Sequence, residues 1–264
     1  MTPFKPSHKV GPDSLVALLP VTWAPDDWTI LTEVHPQNWA ELLRAETSAP
    51  SGDPLTLRIG DGELSELPSL SLIAEERLPQ LNELIDLAKH PFDATERLLL
   101  ENHTGIWRIT MENLSTNPIE KARAFLRVIA TATEAGAPAA FFPFSFQLHS
   151  SQLIRHLSVE MQAAQTLVNL LIGAFNDDEW MVTRGMTALG FPELETSLQG
   201  GMNGAYFRLL DVATQIFLME SPFRVGSNLQ LGAHLFEIQA GPRGPEDKGL
   251  PICGAFGRLA ILPV

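Results

Sequence analysis

The sequence predicts an α+β fold, with helices packed on mixed β-sheets. Three observations lead to this. An alternating apolar run, a capped amphipathic helix and a second apolar run follow one another over 105–144. An Asp61-Gly62 pair stands between two alternating segments, the mark of a two-residue hairpin, because such a turn needs positive φ at both central residues. Three strand-like runs, near 227–231, 234–240 and 256–262, crowd the C-terminal end and break the strand–helix rhythm of a doubly wound parallel sheet.

In chain order, residues 14–22 (SLVALLPVT) form a short strand-like run with Pro20 near its end. A helical segment is expected from about Gln37 to Ala45, after Pro36. Strands near 55–59 and 63–67 flank Asp61-Gly62. Leu78, Leu81, Leu84, Ile85 and Ala88 share one face at helical spacing, which predicts a helix over 75–89, with a second over roughly 93–101. Residues 105–112 (GIWRITME) set Ile106, Arg108 and Thr110 against Trp107, Ile109 and Met111, a strand with one wetter face. Next comes a helix start. Asn117 can cap, Pro118 takes the first helical position, and Glu120 lies three residues after the cap. Ile119, Ala122, Phe125, Leu126 and Ile129 are its buried stripe, and Gly136 its C-terminal stop. PAAFFPFSF (138–146) reads as an apolar strand, parallel to the 105–112 strand across this helix.

Ser150 or Ser151 caps what reads as one long helix, 151–172, ending near Gly173. An acidic turn, Asn176 to Glu179, leads into a strand at Trp180. After Gly200-Gly201 a helix is expected over 203–219, with Tyr206, Leu209, Leu210, Ala213, Ile216 and Phe217 on one face. GPRGPEDKG (241–249) reads as an exposed loop. The tally suggests two ferredoxin-like α/β lobes, an N-terminal one over 1–148 and a C-terminal one over 149–264 that includes the long helix. No residue-level repeat links them.

A chain of 264 residues with 45% apolar content can bury a core in one large domain or two modest ones. Its net charge is −13, and the excess is uneven: 11 basic and 20 acidic residues over 1–135, 7 and 11 in the remainder. Such a field repels phosphate backbones and anionic lipid surfaces, so nucleic-acid binding is disfavoured. It suits a basic partner protein, or simply solubility. The lone Cys253 lies in an apolar run, which rules out an intrachain disulfide and fits a buried thiol in a reducing compartment. No apolar signal core opens the chain and no run is long enough to span a bilayer, so a cytoplasmic location away from membranes is expected.

The densest group of special residues is Trp180 to Glu195, WMVTRGMTALGFPELE. Gly185 and Gly190 supply backbone conformations closed to other residues, and Pro192 holds Phe191 extended. The turn between them should bring Thr183, Arg184, Glu193 and Glu195 close together. On a strand, Glu193 and Glu195 share a face, and two close carboxylates can split their pKa values for acid–base work. Alternatively, Arg184 pairs with one glutamate and the glycines and proline only shape a turn. Gly200-Gly201-Met202-Asn203-Gly204 could cradle an anion with Arg208 one turn in, or could be a tight loop for close backbone packing. His149 follows Ser145 by four residues but makes no triad, and His103 fits a structural hydrogen bond. No HExxH, GxSxG, Walker or dinucleotide-binding pattern occurs, so no metal or cofactor is expected.

In the order of its patterns the chain resembles the bacterial domain-of-unknown-function family 4261. The resemblance rests on ERLLLENHTGIWRITME, KARAFLRVIATATEAGAPAAFFP, LHSSQLI and TRGMTALGFPELE, over roughly 90–200. It implies an α+β bacterial protein, supplies no catalytic residues, and hints at a setting beside toxins or secretion systems. With the charge, it points to a non-enzymatic, immunity- or adaptor-like protein that binds a basic partner. The alternative is a small-molecule-binding or hydrolase-like site around Thr183, Arg184, Glu193 and Glu195, with His149 or Arg208 contributed from nearby.

Overall fold

The computed structural model describes residues 14–22, 56–58, 69–74, 77–78, 80–111, 118–160, 162–219, 223–241 and 257–264. The expected helix near 37–45, the Asp61-Gly62 turn with its second strand, the Asn117 cap, Cys253 and the loop beyond Gly241 lie outside these. The chain divides into two compact units, with residues 14–160 in the first and 162–264 in the second. The class is α+β, and each unit is built on one six-stranded sheet. Each sheet therefore exceeds the four strands of a ferredoxin-like lobe. Among the described residues no helix is long and apolar enough to cross a membrane.

In the first unit the sheet order is β2-β3-β4-β1-β5-β6. The strands are β1 (Leu15–Val21), β2 (Thr56–Arg58), β3 (Ser69–Ala74), β4 (Gly105–Met111), β5 (Ala139–Phe142) and β6 (Gln147–Ser150). Every pairing is antiparallel. Helix α3 (Pro118–Glu134) joins β4 to β5. Both of those strands run antiparallel to β1, which lies between them. They are therefore parallel to each other, as expected, but not neighbours. Strand β2 pairs with β3.

Alternation decides what each face of β4 meets. Trp107, Ile109 and Met111 are fully buried, and their side of the sheet takes α3, where Phe125 meets Phe142 edge-on at 6.2 Å. On the other side Ile106, Ala139, Phe141 and Leu148 pack with Leu78, Leu84, Ile85 and Leu100, next to α1 (Leu81–Asp86) and α2 (Ala94–Glu101). Each large apolar side chain so buried contributes about 1.5–3 kcal/mol. Helix α3 ends as Gly136 predicts. Gly136 has φ 112, and the Gly136 and Ala137 N–H groups close back on the Thr133 and Ala132 carbonyls, each at 3.2 Å.

Three expectations change here. The 75–89 helix shrinks to α1, because β3 runs on to Ala74 and Pro79 falls where a helix interior would need an N–H. PAAFFPFSF is a hairpin, not one strand. The chain turns over 143–146 with Phe146 at φ 53, and Phe146 folds back on Phe141 with 5.9 Å between ring centroids. The long helix 151–172 is two: α4 (Ser151–Ser158) and α5 (Ala164–Leu171). Ser150 does cap the first, its hydroxyl accepting from the Leu153 N–H at 3.1 Å. The helix ends at Ser158, and Val159 and Glu160 are exposed. Helix α4 packs on α3 in its own unit, and α5 belongs to the other.

Two polar devices tie the first unit's helices. Asp93 and Glu96 form a capping box on α2, and Glu96 Oε1 also accepts from Ser151 Oγ (3.0 Å) and the Gln152 N–H (3.1 Å) at the start of α4. His103 accepts from the Leu78 N–H at Nε2 (2.9 Å) and donates from Nδ1 to the Leu100 carbonyl (2.5 Å). It is buried and performs the structural role expected of it. His103→Ala leaves the Leu78 N–H without its acceptor, while the Leu100 carbonyl keeps the backbone N–H of residue 103 at 3.4 Å, so chemical denaturation should show a loss of about 1–3 kcal/mol. A loss under about 0.5 kcal/mol would refute the bridge.

In the second unit the order is β10-β11-β12-β9-β8-β7. The strands are β7 (Gly173–Asp177), β8 (Trp180–Arg184), β9 (Glu193–Ser197), β10 (Asn228–Leu231), β11 (His234–Ala240) and β12 (Arg258–Pro263). The two central strands, β9 and β12, are parallel; every other pairing is antiparallel. The 18-residue helix α6 (Met202–Met219) packs on the β7–β9 side and against α5. Its buried face is Ala205, Leu209, Leu210, Val212, Ala213, Ile216 and Phe217.

Candidate functional site

The Trp180–Glu195 segment is a strand, a loop and a second strand. The β8–β9 ladder runs from Trp180↔Ser197 to Val182↔Glu195. Beyond it, side chains take over the hydrogen bonding. Thr183 Oγ1 accepts from the Leu194 N–H at 2.7 Å and donates to Glu193 Oε2 at 2.7 Å. Glu193 Oε1 accepts from the N–H groups of Gly185 and Thr187, both at 3.0 Å. Gly185 (φ 114) and Gly190 (φ 80) flank a 3-10 turn, Thr187–Leu189, and the Phe191 N–H closes the loop on the Met186 carbonyl at 3.0 Å. Glu193 is thus the peg on which the loop hangs. Burial pushes its carboxyl above the ordinary range; hydrogen bonds from Thr187, Thr183 and Gly185 pull downward without offsetting it.

Glu195 is buried too, and is held differently. In the parallel pairing of β9 with β12, Glu193 lies beside Arg258 and Glu195 beside Ala260, all on the sheet face opposite that of Leu194, Thr196, Leu259 and Ile261. Arg258 Nη1 donates to Glu195 Oε2 at 3.4 Å, with 3% and 0% of the two side chains exposed. Gly241 closes over the pair. A Cβ there would stand 2.7 Å from Arg258 Cβ and 2.8 Å from Glu195 Oε1.

The structure brings Thr183 and Glu193 into contact and keeps the other candidates apart from them. Arg184 follows Thr183 on the strand and lies over the neighbouring strand β7, its guanidinium carbon 4.9 Å from the centre of the Phe175 ring. The ion pair expected between Arg184 and a glutamate is therefore made by Arg258. His149 belongs to the first unit, on β6 opposite Ala140, buried with its ring 5.7 Å from that of Phe142. Arg208 lies on α6 and donates to Thr196 Oγ1 at 2.7 Å. The glycines before α6 do not serve close packing. A Cβ on Gly200 or Gly201 would meet nothing within 4 Å, and their φ values of 89 and 94 are what require glycine.

Arg258 is the residue sequence reasoning missed. Its signal was an arginine inside an otherwise apolar strand, since a charge at such a position needs a buried partner. The Asp93–Glu96 capping box was visible in the same way, as an acid three residues after a cap residue. Among the described residues no group of three or more His, Cys, Asp or Glu side chains is placed to hold a metal ion. Comparison with protein-family models, curated proteins and solved structures finds no match to this chain.

Proposed function

We propose that this chain is a non-enzymatic, cytoplasmic macromolecule-binding protein, immunity- or adaptor-like, related to the bacterial family 4261. Its acidic surface docks a basic partner protein. The observation that supports this most is the internal commitment of the acid pair. Glu193 holds Thr183, Gly185 and Thr187, and Glu195 holds Arg258, both glutamates being buried. A carboxyl that does acid–base work must come within hydrogen-bond reach of the reacting proton, and these two already serve the fold. The net charge of −13 favours fast, charge-steered encounter with a cationic surface and repels nucleic acid.

The test is capture on the immobilised full chain, followed by kinetics with the recovered partner. A basic protein should bind with an association rate that drops roughly tenfold or more from low to high salt. Failure to recover any partner, or association indifferent to salt, rejects the reading.

A further inference from the structure

A groove of about 630 Å³ opens in the second unit between α6 and the β10–β11 hairpin. Its volume falls within the range of small-molecule sites. Arg208 lines it beside Phe207, Asp211, His234, Leu235 and Phe236. The arginine is fixed in place. Its Nη1 donates to Thr196 Oγ1, Thr196 donates in turn to the Ile261 carbonyl at 2.8 Å, and its guanidinium carbon lies 4.7 Å from the Phe236 ring centre. A guanidinium carries five N–H donors. Thr196 takes one, and among the described residues no carboxylate pairs with Arg208. An oriented, partly buried guanidinium with open donors is built to receive a planar oxyanion through two parallel hydrogen bonds.

The walls say what else the ligand carries. Phe207 is 62% and Leu235 46% exposed, large apolar surfaces at the groove that an apolar body would cover. Asp211, one turn along α6, lines the same groove, and its negative charge opposes a dianion more than a monoanion. The chain's overall negative charge is screened beyond about 8 Å at physiological salt, so contact with Arg208 decides local binding. We propose that this groove binds a small monocarboxylate with an aromatic or branched apolar body, its carboxylate on Arg208 and its body against Phe207, Leu235 and Phe236. This site goes beyond the macromolecular reading and does not depend on it.

The test is titration of the full chain with 3-phenylpropionate, followed by amide chemical shifts. Saturable shifts are expected at Gly200, Gly204, Leu231 and Ala233. The neutral alcohol 3-phenylpropanol and inorganic phosphate should each bind about tenfold or more weakly, lacking the planar charged fork or carrying too much charge. Arg208→Gln should lose about tenfold in affinity, and Arg208→Lys should fall between, since an ammonium cannot present a fork. Phe207→Ala changes an exposed residue and should weaken binding without affecting folding; it decides the matter if Arg208→Gln does not fold. Wild-type affinity in the foldable variants, equal binding of the alcohol, tighter binding of phosphate, or no saturable shift in the wild-type chain overturns the proposal.

Discussion

Glu193→Ala is expected to destabilise the second unit by about 3–5 kcal/mol, because it leaves buried backbone donors without acceptors. The Gly185 and Thr187 N–H groups both point at Glu193 Oε1 and have no carbonyl in its place. Each buried, unmet N–H costs about 1–3 kcal/mol. The Thr183 hydroxyl has an escape, since the Leu194 carbonyl lies 3.4 Å away. The damage should therefore concentrate in the loop. Hydrogen exchange at Gly185 and Thr187 should accelerate before the rest of the sheet opens, and denaturant titration should report the global loss. Unchanged exchange at those two amides would sink the idea that Glu193 holds the loop.

The same residue gives the second unit a pH dependence of determinate sign. Burial raises the folded pKa of Glu193 above the ordinary glutamate value. Between the ordinary value and that raised one the native state keeps a proton that the unfolded chain has released. Stability from this group is then fully present below the unfolded pKa and declines as pH rises through the folded one. Glu193→Gln keeps an acceptor for Gly185 and Thr187 and carries no charge at any pH. It should cost about 1 kcal/mol or less and flatten the decline. If the slope of stability against pH in that window is the same in wild type and Glu193→Gln, another group is responsible.

Local rules carried the sequence reading far, and non-local ones limited it. The alternation of 105–112 marked the wetter face of β4, where Arg108 and Thr110 are half-buried, because period 2 depends only on neighbours. Pro118 and Gly136 marked the ends of α3 through φ preferences, again a property of single residues. Thr183 and Glu193 were foreseeable as neighbours because one glycine-shaped loop joins their strands. Glu195 and Arg258, by contrast, are 63 residues apart, and only the parallel pairing of β9 with β12 brings them together. The break between α4 and α5 was equally hidden. No proline or glycine interrupts 151–172, and the helical spacing of Leu157, Met161, Ala164 and Val168 runs straight through the break. Strands β6 and β7 escaped notice because one follows an aromatic turn and the other begins at the glycine taken for a helix stop.

That distant pair is the other place where one substitution should weigh heavily. Arg258→Met is expected to cost about 3–5 kcal/mol, because it takes the facing guanidinium away from a carboxylate that water cannot reach. Glu195→Leu should cost a similar amount by taking the facing carboxylate away from the buried guanidinium. The attraction between the pair is not the source of this loss; desolvation of two charges offsets most of it. Glu195→Leu combined with Arg258→Met should therefore recover to within about 1–2 kcal/mol of wild type, since neither charge then remains to be satisfied. Gly241 limits how full the recovery can be, for its backbone already lies where a Cβ would meet Arg258 Cβ at 2.7 Å, and a bulkier pair cannot expand toward it. A double-mutant cycle by denaturant titration separates the two accounts. Costs that simply add, with the double variant weaker than either single one, would mean that each side chain acts through its own packing and that the buried pair is incidental to the sheet.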